Sequence, residues 1–435
     1  MTDPPRPGAP PSAVGRRTGA WVPACALALM VASDYKVRLR SANDTLAGGA
    51  DIYVMLEIAV YGIVAGYLLL TQPARPRISR TSVLAYMTIG YVVVLVIAST
   101  YSPYRSLAVV RAMEMVILLS LVLRMQARAQ HKDMHLLAHC FLVLVAGSTL
   151  FGVLLPSEPV SPQQVGRFTW LQVHPITAGV YLGLATLIAL NYLAPGGRSV
   201  SRWPRKVYLV LLMTVGGGLI GTHTRSAVLG FLAGALVMLF ARADGRSRVA
   251  LGAGVATVGA LLVVGAGPTI TAYFARGEDA AELTTLNSRT GLWAQALEAI
   301  EAQPLFGYGL SASRGLFLQE TGLGGGHNAL INVGVDVGAV GLALWLGIVL
   351  CSYVRLLALS RDRGSTSTDR SLLLGVLTFL VVNGFFFEGM GATSNVAAYW
   401  LFLIVAWTLV LHRCPSAPPA VVGGQRLLHA TKPDH

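Results

Sequence analysis

The chain has 435 residues, of which 54% are hydrophobic and 12% charged, with a net charge of +13. Soluble domains carry about 25% charged residues, so an ordinary soluble globule is excluded. The basic balance does not mark a nucleic-acid surface. With both termini placed inside, 23 of the 33 Lys and Arg fall in inner segments and 9 in outer ones, with Arg111 inside an apolar run. That is the positive-inside pattern of a polytopic membrane protein.

The segment 1–18 is Pro-rich and basic and reads as the cytoplasmic lead of a signal anchor, although Ala26-Leu27-Ala28 also has the small-x-small form of a cleavage site. Twelve apolar runs, most of about 17–25 residues and so near the length that crosses a bilayer, follow at 19–33, 52–70, 82–99, 106–123, 135–155, 173–193, 206–222, 226–241, 249–267, 329–354, 371–387 and 396–412. The predicted fold is therefore all-α, a polytopic bundle of about twelve transmembrane helices. The expected organisation is 1–18 cytoplasmic, 19–267 with spans one to nine, 268–328 a large outer loop with amphipathic helices, 329–412 with spans ten to twelve, and 413–435 a cytoplasmic tail. Cys25, Cys140, Cys351 and Cys414 are spaced too widely for a metal clamp and are expected as free thiols.

Taken in chain order, the polar residues of the spans and loops offer several candidates. Arg111 and Glu114 stand one helical step apart and are expected to neutralise each other. His174, in Val173-His174-Pro175, stands at a span entrance. Gly217 and Gly221 have the spacing of a helix-packing face. Arg225 sits in the tight turn Gly221-Thr-His-Thr-Arg-Ser226. An arginine there either snorkels or binds an anion, because its planar fork of donors matches phosphate oxygens.

The outer loop is not featureless. Asn287 and Ser288 read as N-cap residues, and Leu292, Trp293, Ala296, Leu297 and Ile300 recur at helical spacing until Pro304. This helix either rests on the membrane interface with Trp293 as anchor or packs on other loop segments. Arg289 at its start is unfavourable beside the helix dipole unless an anion joins it. His327 follows Gly324-Gly325-Gly326 and precedes Asn328, a good N-cap. Imidazole suits proton transfer near neutral pH, although a lone interfacial His also serves structure. Asp336, further along the same span, is expected in an ion pair or orienting a His. Glu278, Asp279 and Glu282 read as a solvated acidic turn.

The sequence holds no phosphate-loop motif, no H-E-x-x-H and no Asp-x-Asp pair of the kind that holds a metal for nucleotide-sugar transfer. No cofactor and no catalytic metal are expected. A secondary transporter is the alternative from another class. It would place a polar cavity around Arg111 and Glu114 at mid-membrane.

The stretch from Arg289 to Gly341 resembles the O-antigen ligase and polymerase superfamily of bacterial membrane proteins. The resemblance rests on Ser288-Arg289, Trp293, Gln303-Pro304-Leu-Phe-Gly-Tyr-Gly309, His327-Asn328 and Asp336-Val-Gly-Ala-Val-Gly341. Thr222-His-Thr-Arg225-Ser226 and Gly166-Arg167-Phe168 through His174-Pro175 extend it upstream, with Ile176 where the family often has Asn. The resemblance implies a metal-independent glycosyltransferase with its site at the periplasmic face of the inner membrane. Its donor would be a glycan on undecaprenyl pyrophosphate. Its acceptor would be lipid A-core, as in a ligase of lipopolysaccharide biosynthesis, or another lipid-linked repeat, as in a polymerase. Membrane lipids are implied as surroundings, and nucleic acid is not. By the same resemblance Arg225 and Arg289 hold the pyrophosphate and His327 is catalytic. His174, Arg167, Trp293, Asn328 and Asp336 would stand in support, the departure at Ile176 weakening His174.

Overall fold

The computed structural model describes residues 19–36, 51–71, 82–159, 164–194, 196–197, 200–275, 289–321, 325–359, 365–391 and 394–413. The first 18 residues, Asn287, Ser288, the acidic turn at 278–282 and Cys414 lie outside them. Among the described residues every regular element is helical. The helices are α1 (Trp21–Asp34), α2 (Ile52–Leu70), α3 (Val83–Tyr101), α4 (Arg105–Arg128), α5 (His131–Leu154), α6 (Pro175–Leu193), α7 (Arg205–Gly221), α8 (Arg225–Arg242), α9 (Gly245–Ala275), α10 (Arg289–Ala302), α11 (Ala312–Thr321), α12 (Ala329–Ala358), α13 (Ser365–Gly384) and α14 (Val396–Arg413), with a 3-10 turn at Glu388–Met390.

Each of the twelve predicted spans coincides with one helix of this set. Eight helices among the described residues are long and apolar enough to cross a bilayer, and α9 makes a ninth if its limbs, bent by 74° between Leu262 and Val264, are one span. The other three differ for visible reasons. α1 has 14 residues and α7 has 17. α13 carries Asp369 and Arg370 near its start. Helix α9 also runs past the predicted boundary at Pro268 to Ala275, with the proline inside its second limb.

The burial pattern is that of a protein dissolved in lipid. Leu70 and Val264 are 90% and 85% exposed, whereas Glu114, Asp369 and Arg370 are buried. A water-soluble protein rarely shows so much contiguous apolar surface. Helices α6 and α14 form the centre and are almost wholly enclosed. The tightest packing is α8 on α13, where Gly234 and Gly375 bring the backbones together: a Cβ on Gly234 would meet the Gly375 carbonyl at 2.5 Å. The expected Gly217–Gly221 face is replaced by Gly218 and Gly221, which lie against Leu182 and Phe168, while Gly217 faces open space. The described cysteines, Cys25, Cys140 and Cys351, are free thiols.

Helix α12 is interrupted. Gly338 adopts φ 61°, ψ −165°, a conformation outside the helix. The segment 304–309 docks into this break. Tyr308 and Gly309 N–H groups donate to the carbonyls of Val335 and Asp336 at 2.9 Å, and Ala339 N–H donates to Pro304 O at 2.8 Å. Glycine is required at the crossing, since a Cβ at Gly338 would lie 2.4 Å from the Leu305 carbonyl carbon. The carbonyls freed by the break thus find partners, as buried backbone must.

Candidate functional site

The loops at one end of the bundle meet around His327. Its backbone is left-handed, φ 48°. Such a conformation is costly for a non-glycine residue and persists only where neighbours impose it. Here Gly326 is clamped on both sides: its N–H donates to Asn332 Oδ1 at 2.9 Å and its carbonyl accepts from Trp293 Nε1 at 3.0 Å. Asn328 then caps α12 by accepting from the Leu330 and Ile331 N–H groups. Leu171, His223, Ser311 and Ser394 are the other non-glycine residues with positive φ among the described residues, and all lie in loops at this same end.

These contacts decide between two sequence alternatives and correct one expectation. Of the two settings expected for α10, the structure shows packing on other loop segments. Helix α10 packs inward through Leu292, Ala296 and Ala299 onto Phe317 and Val335, and Leu297, expected on the apolar stripe, is exposed. Asp336 forms no ion pair with Arg or His. Its carboxylate accepts the Ser311 and Ser313 N–H groups at 3.0 and 2.7 Å, because the 304–311 segment folds back onto α12 and presents those amides.

The side chain of His327 faces Glu388. Nδ1 and Oε2 are 3.5 Å apart, beyond hydrogen-bond reach, and both atoms are buried without a hydrogen-bond partner. Glu388 also covers the glycine turn, with Oε1 2.9 Å from where a Cβ on Gly325 would stand. Arg314, on α11, is close enough to feel the Glu388 charge. Its Nε is buried and makes no hydrogen bond. Burial first, and then the neighbouring Arg111 guanidinium, pull Arg314 below the usual guanidinium range, with Glu388 opposing. Arg111 and Glu114 pair as expected, at 3.1 Å.

On the other side stands the 164–174 loop. Arg167 donates from Nε to Thr222 O at 2.9 Å and from Nη2 to Thr224 Oγ1 at 3.0 Å. It thereby grips the hairpin that carries Arg225, the first residue of α8 and half-buried. His174 caps α6, its Nδ1 accepting from Ile176 N–H at 3.2 Å. This assigns the remaining proton of a neutral ring to Nε2, which is then a donor. Enclosure first, then the charges of Arg167 and His327, push the His174 pKa down to about 4. His174 also presents solvent-facing surface, and that surface is the wall of a cleft of about 30 Å³ shared with Gln164 and Thr169.

The structure therefore brings His327, His174 and Arg167 within electrostatic range and ties Arg167 to the hairpin of Arg225. Arg289 opens α10, and its side chain lies outside the described residues. Sequence reasoning missed Glu388 and Arg314. Neither sits in a recognisable motif, and the only signal was a charged residue at the end of an apolar run. A larger cavity of about 310 Å³, lined by Tyr192, Trp203 and Tyr208, opens at the opposite end of the bundle. Its aromatic lining includes no acid–base pair, so the convergent charges locate the candidate site better than concavity does.

Residues 208–346 match the family model described as O-antigen ligase. Arg225, Arg289, Arg314 and His327 all fall inside that segment. None of the curated proteins matches the chain. A chain of a solved structure described as "Structural coordination of polymerization and crosslinking by a peptidoglycan synthase complex" is similar at 18% identity, with a TM-score of 0.48, over 76% of this chain and 96% of that one.

Proposed function

We propose, on the match of residues 208–346 to the O-antigen ligase family model, that this chain is a membrane glycosyltransferase that moves a glycan from undecaprenyl pyrophosphate to a sugar hydroxyl of lipid A-core. The reaction is assigned to the periplasmic face of the inner membrane. The observation that carries this reading is the half-buried His327–Glu388 pair, whose facing atoms are 3.5 Å apart, set among Arg314, Arg167 and the Arg225 hairpin.

In this reading Glu388 Oε2 faces the Nδ1 edge of His327 from inside, and the acceptor hydroxyl meets the exposed part of the ring. His327 takes its proton as the hydroxyl oxygen bonds to the anomeric carbon of the donor. The bond from that carbon to the pyrophosphate oxygen breaks, and undecaprenyl pyrophosphate leaves with the electron pair. Glu388 stabilises the imidazolium that forms. Arg225 and Arg289, joined by Arg314, are proposed to receive the charge growing on the leaving diphosphate. Donors held in place before reaction stabilise such charge most effectively. Two lipid-anchored substrates held in one plane also react with the orientation already supplied.

The test is incubation of the purified chain, in EDTA, with lipid-linked glycan and either core lipid or excess donor alone. Glycan on core lipid supports the ligase. Lengthening of the donor without core lipid identifies the polymerase of the same superfamily. Absence of both products, or activity that returns only with added Mg²⁺ or Mn²⁺, overturns the proposal.

A further inference from the structure

At the end of the bundle away from His327, three metal-ligating groups converge from two helices. His131 and His135 stand one turn apart at the start of α5, and Asp369 is in the first turns of α13, 238 residues later than His131. One ligand atom from each lies within 4.8 Å of the others. His131 Nε2 and His135 Nε2 are 3.3 Å apart. His135 Nε2 lies 2.8 Å from Asp369 Oδ1, and His131 Nε2 contacts Oδ2. Asp369 is wholly buried, His135 nearly so, and His131 keeps a third of its side chain open to the outside.

Hydrogen bonding alone satisfies this cluster poorly. His135 Nδ1 is bonded to Tyr192 OH at 2.9 Å. If Tyr192 donates, the His135 Nε2–H is left to Asp369 Oδ1, yet that oxygen makes no hydrogen bond of good geometry despite the 2.8 Å separation. If a neutral His135 donates to Tyr192, a bare nitrogen lone pair faces a carboxylate oxygen, which is repulsive, so without a metal the cluster needs a second proton on a ring enclosed by protein. A cation among the three removes both difficulties. Nitrogen ligands about 2.0–2.1 Å from a tetrahedral Zn²⁺ stand about 3.3–3.4 Å apart, the separation found between the two imidazoles. Two imidazoles and one carboxylate with a position left open are a known Zn²⁺ donor set, and the same set also takes Fe²⁺ and Cu²⁺. The Tyr192 hydroxyl supplies the outer hydrogen bond that orients a ligating histidine. Trp407, edge-on to His135 with ring centroids 5.4 Å apart, walls the inner side, and the open flank of His131 gives an entry path and room for a solvent ligand.

We infer that His131, His135 and Asp369 form a Zn²⁺ site that braces α5 against α13. It is separate from the proposed transfer chemistry. The 24 residues of α5 span roughly 36 Å, so the ion would sit a membrane thickness from His174 and His327. Coordination moves Asp369 outward, since metal ligands keep farther apart than hydrogen-bonded atoms. The brace adds stability that grows with the logarithm of free zinc, because the unfolded chain does not hold the three groups together.

The full-length chain, purified in detergent with a tag free of histidine, is incubated with equimolar ZnSO₄, passed through gel filtration and analysed for metal by mass spectrometry. One zinc per chain, a rise of a few degrees in melting temperature, and loss of both in His131→Gln and in Asp369→Asn are expected. Co²⁺ in place of Zn²⁺ gives a readout that needs no variant: intense tetrahedral d–d bands that Zn²⁺ displaces. Wild-type protein that retains no zinc and melts unchanged overturns the inference. So does zinc retained undiminished in a His131→Gln, His135→Gln double variant, or a Co²⁺ spectrum with the weak bands of the hydrated ion. Transfer activity is not the readout, so this result stands apart from that of the transfer assay.

Discussion

A guanidinium beside a diphosphate and a lysine in the same place are not equivalent, and the proposed division of labour turns on that difference. Arg225→Ala removes donors aimed at the leaving group and should slow transfer by about 10²–10³-fold, by analogy with loss of a preorganised oxyanion donor. Arg225→Lys should recover little, because an ammonium is a point charge without the fork. Normal turnover in the Lys variant would refute the assignment. His327 and Glu388 predict another signature. His327→Ala should leave donor affinity intact and lower turnover by about 10²–10⁴-fold. Glu388→Gln, which keeps shape and removes charge, should also lower turnover with donor affinity unchanged. Donor binding and single-turnover rates measured side by side decide this. A His327→Ala protein that loses only thermal stability would make the residue a turn-former, a role its φ of 48° already suits.

Among the elements, the broken helix α12 carries the strongest stability expectation. Gly338→Ala places a Cβ where Leu305 backbone stands and forces a side chain into a conformation that costs on the order of 1–3 kcal/mol by itself. The variant should melt several degrees lower, and protease should cut first near the loosened 304–311 segment. Unchanged melting would mean that the docking of this segment is dispensable. The N-cap of α6 gives a pH dependence. His174 has its pKa lowered to about 4 in the folded chain, against about 6.5 in an unfolded one. The folded state thus favours the neutral ring. Its contribution to stability is complete above about pH 6.5 and is lost as pH falls through about 4. The part of His174 that faces solvent lessens the size of this effect but not its sign. His174→Asn keeps an acceptor for the Ile176 N–H and removes the titration. Its melting temperature should fall less than the wild type's between pH 6.5 and pH 4, and an identical fall would remove His174 from the account.

For the whole molecule, the 23-to-9 split of Lys and Arg predicts that the His327 end faces the periplasm. In a background without native cysteines, Gln303→Cys on the exposed end of α10 should react with a membrane-impermeant thiol reagent in intact spheroplasts. Lys206→Cys at the opposite end should react only after lysis. The reverse pattern would invert the topology and remove access to a periplasmic acceptor. Orientation also bears on the transporter alternative. The Arg111–Glu114 pair stands at 3.1 Å, within electrostatic reach of Glu57 and of Arg314. The intramembrane charges therefore join the polar cluster at one end, which favours chemistry at a surface.

Hydrophobic length and the placement of Lys and Arg are local properties, and they alone determined the all-helical membrane class and where along the chain the long apolar helices fall. The glycines of Gly307-Tyr-Gly309 and Asp336-Val-Gly338 were also visible as motifs, and so were Arg225, Arg289 and His327. What those motifs do was not legible. Asp336 holds the amides of Ser311 and Ser313, and Trp293 holds Gly326, because the chain folds back at Gly338 in a way no periodicity records. Glu388 and Arg314 entered the candidate site, and Asp369 joined His131 and His135, only through tertiary packing. Each is a single charge in an otherwise ordinary stretch, and its partner lies tens to hundreds of residues away. Helix propensity and bilayer length act over one element at a time. The pairing of buried charges is set by which helix ends the packed bundle brings face to face.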